Sequence, residues 1–481
     1  MPTRSINFGS PIQTLDATQS KDGQLQSLIN GYIDVDGSFR MRPGLTLWKD
    51  LSQTGKPIIG LYHSPTMTPS HVIVLYNGSS NSVLAKITSG GTATTITGTT
   101  LANNTLATFC TDGTSVLVAN GGNINQANVG AATANLVSAG NAPGTVTHVA
   151  WLQGYLLANG TISGGVAGDT NYSTDISGNY EAADSWAFYN NEAYPDSSTA
   201  LYVKWDEIMA MGPESVEYSY NDGTTPWATI QGGQLHWGVL APYSVQFIDE
   251  TFMYLTHRDG GVQFVRILQR SPHSVSIKMD SVLAGVTDFV NAKSWTISLK
   301  GTPLYVVTFP SDAVTYVYNV RRNEWYQWGA YSAGTWSKFA MNAYTYVPAF
   351  NKHLVGDATD GKIWELTGIT DNSSAIGFQI TSGNIDWGTS FFKRCEKIRY
   401  RFKRGATSST EPTVTIEFND NNEGWVTIDT VSLAVAADLY MYVDLHALGT
   451  YSSRRHRLTY TGTVTDLIFV GAEETFTVMT T

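Results

Sequence analysis

A chain of 481 residues with 42% hydrophobic and 14% charged content can bury several cores, which sets it apart from disordered and membrane-dominated chains. Its 29 Lys and Arg stand against 40 Asp and Glu, and a formal charge of −11 argues against a general polyphosphate binder, whose phosphate contacts require cations. An acidic wall past which DNA slides stays compatible with that charge.

In chain order, residues 1–45 read as an N-terminal platform, and their start, "MPTRSINFGSPIQ", lacks the apolar stretch of a signal peptide. From 46 to 372, hairpin-like units recur. "HVIVLYNGSSNSVLAKI" alternates in steps of two about Asn77-Gly78, and "TLATFCTDGTSVLVANG" turns at Asp112-Gly113. "HVAWLQGYLLANG" turns at Gln153-Gly154, "YVKWDEIMAMG" at Asp206 and "SVQFIDETFMYLTH" at Asp249. "WTISLKGTPLYVVTF" turns at Lys300-Gly301 and "YVPAFNKHLVGD" near Asn351. Such residues suit tight hairpins, and a spacing of about 40 to 50 residues is that of propeller blades with four short strands each. The expectation is an all-β protein, an irregular β-propeller of six or seven blades over 46–372, with a sandwich of similar length as the competing fold.

The Gly, Thr, Ala and Asn-rich stretch 88–165 is expected to form thin, exposed blades rather than a linker. "SVSIKMDSVLAGV" (274–286) is the one stretch read as a short helix. After Ser373, longer alternating runs such as "PTVTIEF" and "TDLIFVGAEETFTV" predict an additional C-terminal β-sandwich over 373–481. No run of about twenty apolar residues offers a membrane span.

Motifs for enzyme or cofactor chemistry fail on inspection. "GDATDGKI" (356–363) carries the Gly-x4-Gly-Lys of a phosphate loop, but Ile363 stands where a hydroxyl should meet magnesium, and strand residues follow instead of a helix. "NDNNEGW" (419–425) places Asp420 and Asn422 at alternate positions without the closing Glu of a calcium loop. No His-x3-His pair or Gly-x-Ser-x-Gly elbow occurs. Cys110 and Cys395 cannot build a disulfide framework or a four-thiolate zinc site and read as buried free thiols. The pairs Asp206 with Glu207 and Glu214 with Glu217 could be glycosidase carboxylates, but they read first as turn and strand residues. No catalytic residue, metal ligand or cofactor is assigned.

"NVRRNEWYQWG" (319–329) predicts a turn at Arg321 to Asn323 and a strand with Trp325 and Gly329 on one face, Tyr326 and Trp328 on the other. Aromatics on both faces mean a strand packed between neighbours. Arg321 and Arg322 fall in the turn, where solvent or a neighbouring subunit can receive them.

Five blocks in fixed order carry a family resemblance over more than 400 residues. "QSLINGYIDVDGSFRMRPGL" (26–45) supplies Asn30, Gly37, Pro43 and Gly44. "YPDSSTALYVKWDEIMAMGPESVEYSYNDG" supplies Pro195, Asp196, Gly212, Ser215, Glu217 and Gly223. "GVLAPYSVQFIDETFMYLTHRDGGVQFVRI", "TPLYVVTFPSDAVTYVYN" and "RRHRLTYTGTVTDLIFVGAEE" follow. The chain resembles the tail hub, or nozzle, proteins of short-tailed bacteriophages, also called packaged DNA stabilisation proteins or tail accessory factors. Region 88–165 has little matching sequence. The resemblance implies a structural, non-enzymatic virion protein made in the host cytoplasm and built into the tail. It implies a homo-oligomeric ring of six copies below the portal and its adaptor, receiving tailspikes or fibres and in some members a needle or plug. DNA would pass through the channel without sequence-specific binding, and no membrane insertion is implied. The alternative is a carbohydrate-binding or glycan-cleaving propeller, suggested by 13 Trp and 25 Tyr able to stack on sugar rings.

The densest cationic run, "KRCEKIRYRFKR" (393–404), places Lys397, Arg399, Arg401 and Lys403 on one strand face and Ile398, Tyr400 and Phe402 on the other. Arg454, Arg455 and Arg457 lie on another strand of the same region. With Arg321 and Arg322 these are the candidate interface or channel residues. A solvated face with ion pairs, docking to acidic partner surfaces and contact with DNA all stay open for them.

Overall fold

The computed structural model describes residues 2–11, 24–104, 106–128, 134–136, 143–160, 170–174, 186–190, 194, 196–223, 227–258, 261–404, 411–433 and 440–479. Parts of the 88–165 stretch and the family residue Pro195 lie outside them. Among the described residues strand is the prevailing structure, and six separate four-stranded sheets are present. Five are built from consecutive strands, over 58–102, 108–136, 149–190, 200–235 and 246–274. The sixth joins Met341–Val347, Lys352–Asp357 and Lys362–Leu366 to Leu45–Asp50. A further run of four, within 293–332, forms one end of an eleven-stranded sheet.

These units follow one another around an axis, because each neighbouring pair shares an apolar cluster. Ile59 and Leu75 meet Val116 and Val118, and Leu117 meets Leu156. Leu157 meets Ile208, and Met209 meets Tyr254. Phe264 meets Tyr305, while Trp295 meets Phe339 and Met341. Ile58 and Val74 meet Leu354, which brings the last sheet back onto the first. Packing on both faces explains why Val72–Tyr76 and Ser115–Ala119 are buried at every position instead of alternating. The hairpin turns fall where the sequence places them, with positive φ at Gln153, Asp249, Lys300 and Asn351. The expected helix shrinks to a 3₁₀ turn, Ile277–Met279, and one α turn, Asp280–Leu283, since only Met279, Val282 and Leu283 are buried there.

The chain's two ends share two sheets. Thr3–Ile6, Gly31–Ile33 and Phe39–Met41 lie in one sheet with Lys393–Arg404, Tyr440–His446 and Leu467–Val478. Gln24–Ile29 lies in the other, beside Phe378–Ser382, which leads on to Arg454–Tyr460, Thr413–Asp420 and Val426–Ser432. Both sheets contribute to one apolar cluster that includes Leu28, Ile33, Ile398, Phe402, Ile416, Leu458 and Phe469. The 1–45 platform segment therefore supplies strands to the same sheets as the C-terminal hundred residues. Gln24–Ile29 also meets Glu324–Ser332 at Ile29 opposite Gln327, so the eleven-stranded sheet runs from the ring of sheets into this terminal unit. Trp325 faces the cluster holding Phe264 and Tyr305, while Tyr326 and Trp328 face the terminal side, with Trp328 Nε1 donating to the Gly31 carbonyl at 3.0 Å.

Candidate functional site

The first strands of the seven units, Ile58–Tyr62, Thr108–Thr111, Val149–Leu152, Ala200–Lys204, Gln246–Ile248, Lys293–Leu299 and Met341–Val347, surround an axial cavity of about 580 Å³. Six of them bring an aromatic side chain to its lining, Tyr62, Phe109, Trp151, Tyr202, Trp295 and Tyr344, and Tyr243 adds a seventh just before the remaining strand. Tyr62 stacks on Phe109 at 5.5 Å between centroids, Trp295 on Tyr344 at 5.3 Å and His148 on Tyr243 at 5.3 Å. Thr108, Thr111, Gln246, Ser294 and Asn342 supply the polar part of the wall, and among the described residues no Asp, Glu, Lys or Arg lines it. Burial pushes the phenols of Tyr62, Tyr202 and Tyr344 up and that of Tyr243 to about 12, and it pushes His148 down to about 3, so the wall is neutral near pH 7. Sequence reading found the hairpins but missed this ring. The signal was available, since one aromatic recurs at or just before the strand that opens each hairpin.

The predicted cations are distributed differently. Ile398, Tyr400 and Phe402 are buried, and Lys397, Arg399, Arg401 and Lys403 lie half-buried on the opposite face of their strand. Asp444 on the adjacent strand takes Arg399 through both oxygens, at 2.7 and 2.9 Å, and Lys397 at 2.7 Å. These two cations hold the Asp444 carboxyl well below the usual carboxylate range. Lys403 sits 5.3 Å from the Tyr440 ring. Arg454 is buried between the rings of Phe418 and Tyr451 at 4.3 and 4.2 Å and bonds Asp420 at 2.6 and 2.8 Å. Arg455 reaches Gln26 at 3.0 Å, and Arg457 holds Glu417 at 2.6 and 2.5 Å over Trp425. Arg321 and Arg322 are exposed in their turn, with Arg322 bonded to Glu324 at 3.0 Å.

The carboxylate pairs do not converge. Asp206 and Glu207 lie at one end of the strand Glu207–Met211 and Glu214 at the other, with Glu207 paired to Arg270 and Glu217 buried on the next strand. Asp196 instead caps the 212–215 turn, accepting from the Glu214 and Ser215 amides at 2.8 Å each. Gly212 is required there because a Cβ would come within 2.3 Å of the Asp196 carboxylate. The phosphate-loop look-alike is a hairpin turn in which Asp357 accepts from the Thr359 amide at 2.8 Å. In "NDNNEGW", Asn421 accepts from Ser452 and Ser453, and Asp420 is taken by Arg454. Both cysteines are buried and free, with thiols pushed up chiefly by burial. Among the described residues no group of His, Cys, Asp and Glu could hold a metal ion, and no helix is long and apolar enough to cross a membrane.

Sequence reading also missed a buried junction. Arg42, with a fully buried side chain, bonds Asp371 at 3.0 and 2.5 Å, Asn30 at 3.1 Å and the Gly329 carbonyl at 3.1 Å, with its guanidinium 4.6 Å from the Phe339 ring. Asn30, at φ 56°, accepts from the Gly329 amide at 2.7 Å and donates to the Ile376 carbonyl at 2.5 Å. Gly44 follows because a Cβ there would lie 2.1 Å from the Thr370 carbonyl oxygen. Residues quoted for the family resemblance, Asn30 and Gly44, thus knit the terminal strands to the ring of sheets.

A family model described as bacteriophage P22 Gp10, β-propeller, matches residues 28–371, a span that holds the whole ring of sheets up to the partner of Arg42. No curated protein matches the chain. Among solved structures, the N-terminal domain of Nup159 superposes with a TM-score of 0.35 at 9% identity, covering 67% of this chain and 99% of that one, too loosely to bear on function.

Proposed function

The chain belongs to the bacteriophage P22 Gp10 β-propeller family, and from that membership we propose that it is a structural subunit of the tail nozzle of a short-tailed phage. The observation that carries the reading is the family match across 344 of 481 positions, from 28 to 371. In this reading the seven four-strand units are seven blades, Leu45–Asp50 closes the last of them, and the terminal strands form a β-sandwich beside the propeller. The subunit assembles as a ring of six below the portal and its adaptor, extends their channel, retains packaged DNA and anchors tailspikes or fibres. A needle or plug completes the closure in some assemblies. The protein is made in the host cytoplasm, resides in the virion tail and performs no catalysis.

Two features of the chain support such a role. The terminal sheets end in the strands Val426–Ser432 and Tyr440–His446, whose open edges and exposed Val426, Ile428, Tyr440 and Tyr442 suit contact with a neighbouring subunit or tailspike. An acidic chain also avoids holding the genome that passes it, because fixed wall cations would add counterion-release affinity.

The test is genome retention in particles assembled without this protein. Particles that package DNA and then lose it support the reading. Full retention in its absence overturns the closure role.

A further inference from the structure

We propose that the axial cavity is a binding site for a neutral sugar ring, a hexose or 6-deoxyhexose unit of a glycan. The cavity wall alone points to it, whatever role the chain has in a tail. A pyranose has two apolar C–H faces and a rim of hydroxyls, so its site needs flat aromatic surface together with uncharged donors and acceptors. The cavity offers both. The half-buried Trp151, Tyr243 and Tyr344 supply aromatic surface, and Gln246, Ser294 and Asn342 supply neutral polar groups.

The charge pattern separates a sugar from other guests. Among the described residues no charged side chain lines this cavity, and the Lys293 ammonium bonds the Asn342 side-chain carbonyl, at 3.4 Å, from outside the lining. Anionic guests such as a phosphate, a nucleotide or a sialic acid would find no cation. A purely apolar guest is disfavoured by the polar part of the wall, where Thr108, Thr111, Gln246, Ser294 and Asn342 stand among the rings. The volume, about 580 Å³, lies within the ordinary range for small-molecule sites, roughly 300–1,000 Å³.

The experiment uses the full chain and saturation-transfer NMR with methyl glycosides of glucose, galactose, mannose and rhamnose at millimolar concentration. N-acetylneuraminic acid serves as the charged comparison and N-acetyl-tryptophanamide as the aromatic, amide-bearing one. The expected result is transfer to the C–H face of at least one neutral glycoside and none to the acid. Tyr243→Ala removes one aromatic plate from a half-buried position, and Trp151→Ala removes another. Each should weaken binding about tenfold while the melting midpoint of Tyr243→Ala stays near that of the parent. Transfer to none of the four glycosides overturns the proposal, as does binding that survives Tyr243→Ala unchanged. Stronger transfer to N-acetyl-tryptophanamide than to every sugar would assign the cavity to a peptide side chain and also overturn it.

Discussion

The ring of sheets and the terminal two-sheet unit are both mainly antiparallel β structure, yet they specify their strand pairings by opposite means. In the ring, most strands pair with a neighbour one hairpin away, and the clusters between sheets are apolar. In the terminal unit, Thr3 lies opposite Thr475, Leu25 opposite Ser382 and Ile468 opposite Arg40, so no turn sets those registers. Among the C-terminal strands, whose partners lie 34 to 45 residues apart, charged pairs mark the register. Arg454 faces Asp420, Arg457 faces Glu417, and Arg399 faces Asp444, each as a direct cross-strand partner that also forms an ion pair. A slip of one residue would break all three and turn the apolar faces outward. Local turns suffice where the partner is near in sequence, and matched polar pairs mark the register where C-terminal strands meet without a tight turn.

The comparison breaks most directly at Arg42, where the two regions meet. Arg42→Ala would leave the Asp371 carboxylate and the Asn30 side-chain oxygen without their guanidinium partner, a change of the kind that costs about 3–5 kcal/mol. Denaturant unfolding should then separate into two transitions, with the terminal unit melting first, because its long-range pairings lose their anchor to the ring. A single transition within about 1 kcal/mol of the parent would show that the two regions do not depend on this junction.

Acid distinguishes the regions next. His148 in the ring and His456 in the terminal core are both held neutral by burial, His148 at about 3. A histidine with a depressed folded pKa contributes stability that is fully present above the ordinary value of 6.5. That contribution is lost as pH falls from 6.5 towards the folded value, at about 1.4 kcal/mol per pH unit for each group. Glu474, buried in the terminal unit where it accepts from the Tyr451 hydroxyl, has its pKa raised by burial, so its contribution has the opposite sign and is lost as pH rises above 4.5 through the folded value. The ring should therefore lose stability more steeply than the terminal unit between pH 6.5 and 4.5. His148→Gln should flatten the loss for the ring alone, measured by denaturant midpoints across that interval. An unchanged slope in the variant would remove His148 as the cause.

The same contrast explains what the sequence disclosed. Hairpins were legible because a tight turn demands residues that accept positive φ, and Gly113, Gly154, Asp249 and Asn351 meet that demand locally. The closure by Leu45–Asp50 and the shared terminal sheets left no such mark, since partners hundreds of residues apart need only compatible alternation. Arg454 was legible as a charge and not as a buried one. It falls in step with His456, Leu458 and Tyr460 on the inward face, where Phe418 and Tyr451 enclose it. The aromatic ring of the axial cavity escaped because its members are spread over about 280 residues and differ in type, from Tyr62 to Tyr344.

The smallest effect is expected where the sequence pointed most strongly, at the cationic face of Lys393–Arg404. Arg399→Ser with Arg401→Ser removes two side chains from a half-buried surface whose opposite face, Ile398, Tyr400 and Phe402, stays in the core. Lys397 remains 2.7 Å from Asp444, so that carboxylate keeps a partner. The melting midpoint should hardly move, because pairs near the surface contribute little. Assembly and genome retention then separate the three readings of this face. Weakened assembly on the adaptor or with tailspikes, relieved at low salt, assigns it to docking on acidic partners. Normal assembly with early loss of DNA assigns it to the channel wall. The pairing of Lys397 and Arg399 with Asp444 within the same sheet leads us to expect neither. Normal assembly with normal retention would mean that the face serves only to hold its own three strands in register.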